Sequence, residues 1–287
     1  MKFFKNVIAA FLIMFLISPA LIVLSSAKIE DAEIEKGYYD YIGKKGKKDI
    51  VMSIYIDNPK VKGLYNYKGV RKYIKVEGVI KGDKIKLNEL DSKGKVVGTF
   101  NGIIKDKVIK KSDGRLIRPV DTIEGTWSDG KIKMPFKLGR GIFAGVSPMP
   151  YGEKFSFVGF PDDEVLKFAT NIQEYLIKND KKALAKLIAY PIEVKIDGKK
   201  RKIRNEKEFI NNFDKIFDAN LKKAIINAEP LIMFSNQYGA MLGDPTYNIW
   251  FTGIVRKGNV YLLIHTINEF ILRDSLLYDN NIYGDNK

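Results

Sequence analysis

From residue 50 to residue 138 the chain repeats one local pattern, and that pattern restricts its first half to antiparallel β-structure. Alternating apolar and polar runs occupy residues 50–57, 63–67, 73–80, 84–90, 96–104, 122–128 and 131–138. Between them lie turns in which Gly, Asp, Asn or Pro supplies the backbone angles: Asp57-Asn58-Pro59, Lys81-Gly82-Asp83, Asp91-Ser92-Lys93-Gly94, Ser112-Asp113-Gly114 and Ser128-Asp129-Gly130. Strands this short, following each other every ~8–12 residues, leave no room for crossover helices, so they predict a meander, sandwich or barrel. Within them, Gly63-Leu64-Tyr65, Gly98-Thr99-Phe100 and Gly125-Thr126-Trp127 each place a glycine two residues before an aromatic, on the same strand face. A ring packed over glycine is a structural device, and the expectation is that these rings serve packing.

The 287 residues contain no Cys and one His, which removes disulfides, thiolate chemistry and multi-histidine metal sites from consideration. The start of the chain reads as an export signal. Lys2 and Lys5 precede an apolar stretch over residues 7–24, and Ser25-Ser26-Ala27 offers small residues for cleavage after Ala27. Residues 1–27 are therefore expected to be a signal peptide, with an uncleaved membrane anchor as the alternative, and the rest of the chain is expected outside the cytoplasm (periplasmic or extracellular). Without disulfides, such a protein relies on its hydrophobic core alone.

Charge is uneven. Residues 28–160 carry 28 basic and 17 acidic side chains, while residues 161–287 carry 19 and 17. A basic first half points to an anionic envelope polymer or lipid as a candidate partner. Only eight of the basic residues are Arg, and base-reading surfaces favour Arg, so no nucleic-acid partner is expected.

Residues 141–160 are rich in Gly and Pro and lack a period, which marks a linker or lid between two domains, 28–140 and 161–287. Its Phe143, Met149, Tyr151, Phe155 and Phe157 are too apolar for a free tether, and the segment is expected to pack against one domain. Beyond it, Asp162-Asp163-Glu164 opens an amphipathic helix whose apolar stripe runs from Val165 to Ile177. Asp180 is placed to cap a short helix over 181–188, residues 192–196 alternate as a strand, and Asn205 with Glu208 forms a capping box for a helix over 206–217. A short helix over 221–227 precedes three expected strands, 231–242, 247–255 and 259–270.

The set Ala189-Tyr190-Pro191, then Asn205, Phe209, Phe213, Asp214, Ile216 and Phe217, then Phe234, Asn236, Gly239, Met241, Gly243, Ile249, Trp250 and Phe251, then Ile267-Asn268, resembles the secreted bacterial branch of the nuclear-transport-factor-two-like (cystatin-like roll) superfamily. The resemblance spans roughly residues 162 to 272. It implies a cone-shaped α+β roll with an apolar pocket between helices and sheet, often a homodimer. Some members are isomerase- or dehydratase-like enzymes; fold kinship alone does not license a reaction.

An enzyme of that kind needs a general base facing an oxyanion donor. Asp214, His265, Tyr190, Tyr238 and Glu174 are the raw material here. A lone His on a strand is expected to be a satisfied core or rim group, Asp214 to pair with lysines, Tyr190 to pack at a helix-to-strand corner and Trp250 to sit in the core. No nucleotide fingerprint, nucleophile elbow or calcium loop occurs, and no cofactor is expected. The fold expected is thus α+β, an N-terminal all-β antiparallel meander or barrel-like domain followed by a cystatin-like α+β roll. Its expected role is non-enzymatic binding of an apolar small molecule or protein segment, with Tyr190, Phe213, Phe217, Phe234, Met241, Trp250 and His265 as pocket candidates.

Overall fold

Alternation along each strand decides what the first half becomes. The computed structural model describes residues 32–141 and 146–269; the signal-peptide expectation falls on residues outside that range. Ten strands are found here: β1 (Gly37–Lys45), β2 (Lys48–Asp57), β3 (Lys60–Tyr67), β4 (Ile74–Lys81), β5 (Lys84–Leu90), β6 (Val96–Lys105), β7 (Ile109–Lys110), β8 (Leu116–Ile117), β9 (Thr122–Ser128) and β10 (Lys133–Arg140). Eight of them close into an antiparallel barrel in the order β1-β10-β9-β6-β5-β4-β3-β2. The seam is the pairing of β1 with β10, from Tyr41↔Arg140 to Lys45↔Phe136. Closure leaves the sheet without an exposed edge. β1 is the strand the turn pattern did not mark.

Inward residues at alternate positions, among them Tyr39, Tyr41, Met52, Ile54, Tyr65, Phe100 and Phe136, form one buried cluster. The β7–β8 hairpin interrupts the meander between β6 and β9. It is followed by Val120, whose buried carbonyl accepts a hydrogen bond from Tyr41 Oη at 2.8 Å.

β2 departs from alternation: every residue from Ile50 to Ile56 is buried. Its inner residues face the barrel core, and its outer residues are covered by the connecting segment, through Tyr151 on Tyr55 and Lys154 on Ser53, and by the second half, whose core cluster includes Val51. That second half comprises α1 (Asp162–Ile177), α2 (Lys181–Ala185), β11 (Ile192–Ile196), β12 (Lys199–Ile203), α3 (Glu206–Ile216), α4 (Ala219–Asn227), β13 (Phe234–Asn236), β14 (Gly239–Gly243), β15 (Tyr247–Arg256) and β16 (Asn259–Glu269). Caps act where the sequence places them at two helices, Asp180 accepting from Ala183 N and Asn205 from Glu208 N; Asp218, which the pattern did not mark, accepts from Leu221 N.

β13 to β16 form an antiparallel sheet in sequence order, and β11–β12 is a separate hairpin. A parallel bridge, Ile188↔Ile264, ties the end of the α2 segment to β16. The single strand expected over 231–242 is divided. Pro230 opens a 3-10 turn, Pro230–Ile232, and the chain reverses at Gly239, whose φ of +120° a side chain would strain. Among the described residues no helix is long and apolar enough to cross a membrane.

The connecting segment touches both halves rather than one. Ser147 bridges to Tyr38 of β1, whereas Phe155 and Val158 are buried in the core of the α+β half.

Candidate functional site

Two cavities lie where the halves meet. The larger, about 730 Å³, runs between the outer surface of β1–β2 and the elements α4, β13 and β14; Ile42, Val51, Ile232, Met233, Phe234 and Met241 give it an apolar wall. The smaller, about 530 Å³, lies between β3–β4 and the start of α1, with Tyr38, Leu64, Tyr73, Tyr151, Phe155 and Leu166 on its sides. Both fall in the size range of small-molecule sites, which is about 300–1,000 Å³.

A buried lysine anchors the junction. Lys154 is 6% exposed, and its Nζ donates to both Asp40 carboxylate oxygens (2.7 and 2.9 Å), Ser53 Oγ (3.0 Å) and the Leu231 carbonyl (2.7 Å). One ammonium thus binds β1, β2 and the 3-10 turn before β13. Nearby, Asp162 accepts from the backbone N–H groups of Lys154 (3.0 Å) and Phe155 (2.9 Å). Glu229 reaches across to Asn66 Nδ2 and Gly69 N, both at 3.0 Å. Burial pushes the Tyr38 hydroxyl well above its usual range. That hydroxyl accepts from Gly152 N at 2.6 Å.

The barrel interior holds the second buried lysine. Lys45 Nζ lies over the rings of Trp127 (4.1 Å), Tyr65 (5.0 Å), Tyr67 (5.0 Å) and Phe100 (5.5 Å). It also donates to Tyr65 Oη at 2.8 Å and lies 3.3 Å from Glu89 Oε2. Glu89 accepts further from Tyr65 Oη (2.7 Å) and Trp127 Nε1 (2.9 Å). Tyr65, Phe100 and Trp127 are the three aromatics of the Gly-x-aromatic echo, and they converge on this one cation. The glycine under the indole comes from the neighbouring strand: a Cβ on Gly98 would lie 2.7 Å from Trp127 ring atoms. Sequence reasoning found the rings and missed Lys45, which reads as one member of a solvated lysine run.

The pocket candidates separate into distinct environments. Phe213 and Phe217 line neither cavity. They are 1% and 0% exposed, their rings stack at 5.3 Å, and with Phe209 they fill the space between helices and sheet. Phe234, Met241 and Trp250 form one cross-strand row. Trp250 departs from its expected place in the core: its neighbours Ile249 and Phe251 face the helices, so Trp250 points from the opposite sheet face, half-buried, with its ring 6.1 Å from that of Phe234. Phe234 and Met241 line the larger cavity; Trp250 is behind Phe234.

Tyr190 packs at the helix-to-strand corner, its hydroxyl donating to the Ala185 carbonyl at 2.9 Å. His265 occupies a β-bulge, because Trp250 pairs with Thr266 while Phe251 pairs with Ile264. The extra residue reverses the alternation, so Ile267 faces the helices and Leu263 does not; the sequence pattern put both on one face. His265 Nε2 is 3.0 Å from the Tyr238 carbonyl, which can only accept, so Nε2 carries the proton and Nδ1 accepts from Thr266 Oγ1 at 2.8 Å. Burial lowers its pKa, with the Tyr238 hydrogen bond opposing. Asp214 is exposed and paired with Lys181 and Lys222, whose hydrogen bonds hold its carboxyl below the usual range. Neither His265 nor Asp214 lines either cavity. Among the described residues no cluster of three or more His, Asp or Glu could hold a metal ion.

What the geometry defines is a closed β-barrel joined to an α+β region, with two binding-sized clefts at the joint. No known protein family matches this chain, and neither a curated protein nor a solved structure matches it.

Proposed function

We propose that this is an exported, non-enzymatic binding protein that holds an apolar small molecule in the larger cleft. The observation that carries the reading is the wall of that cleft, where Phe234 and Met241 from the sheet face Ile42 and Val51 from the barrel. Such a lining gains affinity from apolar burial at about 25 cal/mol per Å². Catalysis of the isomerase or dehydratase kind needs a base within hydrogen-bond reach of a reacting proton and an oxyanion donor opposite. The carboxylates at this cleft, Asp40, Asp49, Asp244 and Glu229, are engaged by Lys154, by Lys44, by the backbone N–H groups of Thr246 and Tyr247, and by Asn66 with Gly69.

The α+β region is read as a cystatin-like roll. Its order, two helices, a hairpin, two helices and four antiparallel strands, supports that assignment, as does the bridge between Ile188 and Ile264. In this reading the space inside the roll is core, and the ligand space has moved to the roll's junction with the barrel.

The test is binding of N-phenyl-1-naphthylamine, a neutral apolar fluorophore, to the full exported chain. Phe234→Ala and Met241→Ala each weaken it by roughly 5- to 10-fold, the loss expected for a truncated apolar wall. His265→Gln and Asp214→Asn leave it within twofold. Unchanged binding in both wall variants overturns the proposal. So does turnover of a carbonyl or hydroxy compound that vanishes in His265→Gln or Asp214→Asn.

A further inference from the structure

The smaller cleft has a different character from the larger one, and the difference lies in its rim. Three cations stand around it on three separate elements: Arg71 in the β3–β4 connection, Lys75 on β4 and Lys167 on α1. Among the described residues none of the three has a carboxylate within ion-pair distance. Arg71 is oriented by neutral acceptors only, its Nε on Gln173 Oε1 at 3.0 Å and its Nη2 on the Ile226 carbonyl at 3.4 Å. Gln173 is itself buried and fixed by the carbonyls of Ile225 and Ala228, both at 2.8 Å. The guanidinium is thereby held in place with its charge uncompensated.

The acids of the same cleft cancel this only in part. Asp162 accepts from the neutral backbone N–H groups of Lys154 and Phe155 and keeps its charge, while Lys154 is matched by Asp40, so Asp162 and Asp163 together offset two of the three rim cations. Asp163 remains as an exposed carboxylate on the rim. Glu77 stands close enough to Tyr151 to raise its pKa, second to burial, and Lys62 lies over the same ring at 5.6 Å. The rim keeps a positive excess above an apolar floor made by Leu64, Leu166, Tyr73 and Phe155.

We infer that the smaller cleft binds a free single-chain amphiphile with an anionic headgroup, the head on Arg71, Lys75 and Lys167 and the hydrocarbon on the floor. Its volume suits one small molecule, which favours a free amphiphile over a bilayer surface. The inference is independent of the reading of the larger cleft.

Calorimetric titration of the full chain with decanoate and with decyltrimethylammonium tests it, because the two share a tail and differ in head charge. Decanoate binds one per chain, at least ~10-fold tighter than the cation, and weakens as salt rises. The Lys75→Gln/Lys167→Gln pair removes that preference with the thermal melt unchanged, since both lysines are solvent-facing. The Lys84→Gln/Lys86→Gln pair, which removes the same charge from the neighbouring strand β5 outside the cleft, does not. Equal affinity for the two heads, no binding of decanoate, or equal loss in both double variants overturns the inference. Binding that survives Lys75→Gln/Lys167→Gln and falls in Met241→Ala places the amphiphile in the larger cleft; it overturns this inference and leaves the proposed function standing. Anionic vesicles binding more strongly than decanoate, through the same two lysines, overturn the choice of a free amphiphile.

Discussion

The barrel interior and the junction of the barrel with the α+β region each bury one lysine, and they accommodate it by different means. Inside the barrel, Lys45 meets four rings and one carboxylate, all supplied by β3, β5, β6 and β9. At the junction, Lys154 meets a carboxylate, a hydroxyl and a carbonyl from β1, β2 and the turn at Leu231. The first cation organises residues of a single sheet. The second joins β1 and β2, already paired at Asp40↔Ser53, to the turn before β13 in the other half, so its loss reaches beyond its own site. Partner redundancy decides the cost in each place: Glu89 keeps two other donors if Lys45 is removed, whereas Asp40 has no other side-chain donor among the described residues.

The largest effect is therefore expected from Lys154→Met. It strands Asp40 at a junction where the carboxylate is 17% exposed, and a buried pair broken on one side costs about 4 kcal/mol. Chemical denaturation of the full chain should show that loss. It should also split one transition into two as the barrel and the α+β region uncouple. A single transition shifted by less than a quarter of the expected amount would remove the contrast drawn above.

Lys45→Met is expected to cost less, about 2 kcal/mol, since Tyr65 and Trp127 still donate to Glu89. The melt should stay a single transition, and adding Glu89→Gln should recover part of the loss. Intrinsic Trp127 fluorescence reports whether the cage has collapsed.

The smallest effect concerns a half-buried ionisable group with no acid partner among the described residues. Burial lowers the pKa of His265 below its ordinary value. The unfolded chain then binds a proton below about pH 6.5 that the folded one refuses. This contribution to stability is complete above that pH and is lost as pH falls toward the folded pKa. His265→Gln should flatten the stability profile in that window and leave it unchanged at higher pH. A steeper profile in the variant would mean that the imidazole is held in its charged form.

Helix starts were legible where capping is local and marked: Asp180 and Asn205 act on N–H groups three residues ahead, whereas α4, capped by Asp218, begins two residues before its expected start. The barrel strands were legible for the same reason, through alternation and turn residues. Trp250 and His265 were not. Their orientation depends on a bulge in the pairing of β15 with β16, and a bulge leaves no mark on either strand's own pattern. Phe234 and Met241 read as lining residues and stand at a cleft, but at one formed against the barrel. Lys45 and Lys154 were hidden because a lysine's sequence context says nothing about which rings or carboxylates will surround it.

By itself the sequence determined the class of each half, β-meander then α+β, since periodicity, caps and turns are settled within about ten residues of chain. Tertiary structure alone decided that the meander closes, that β2 is covered on both faces, and that the ligand-sized space lies between the halves. Those outcomes depend on pairing β1 with β10 and on seating Val51 and Lys154 against the α+β region, contacts between residues distant in the chain whose free energy exists only once both surfaces are built.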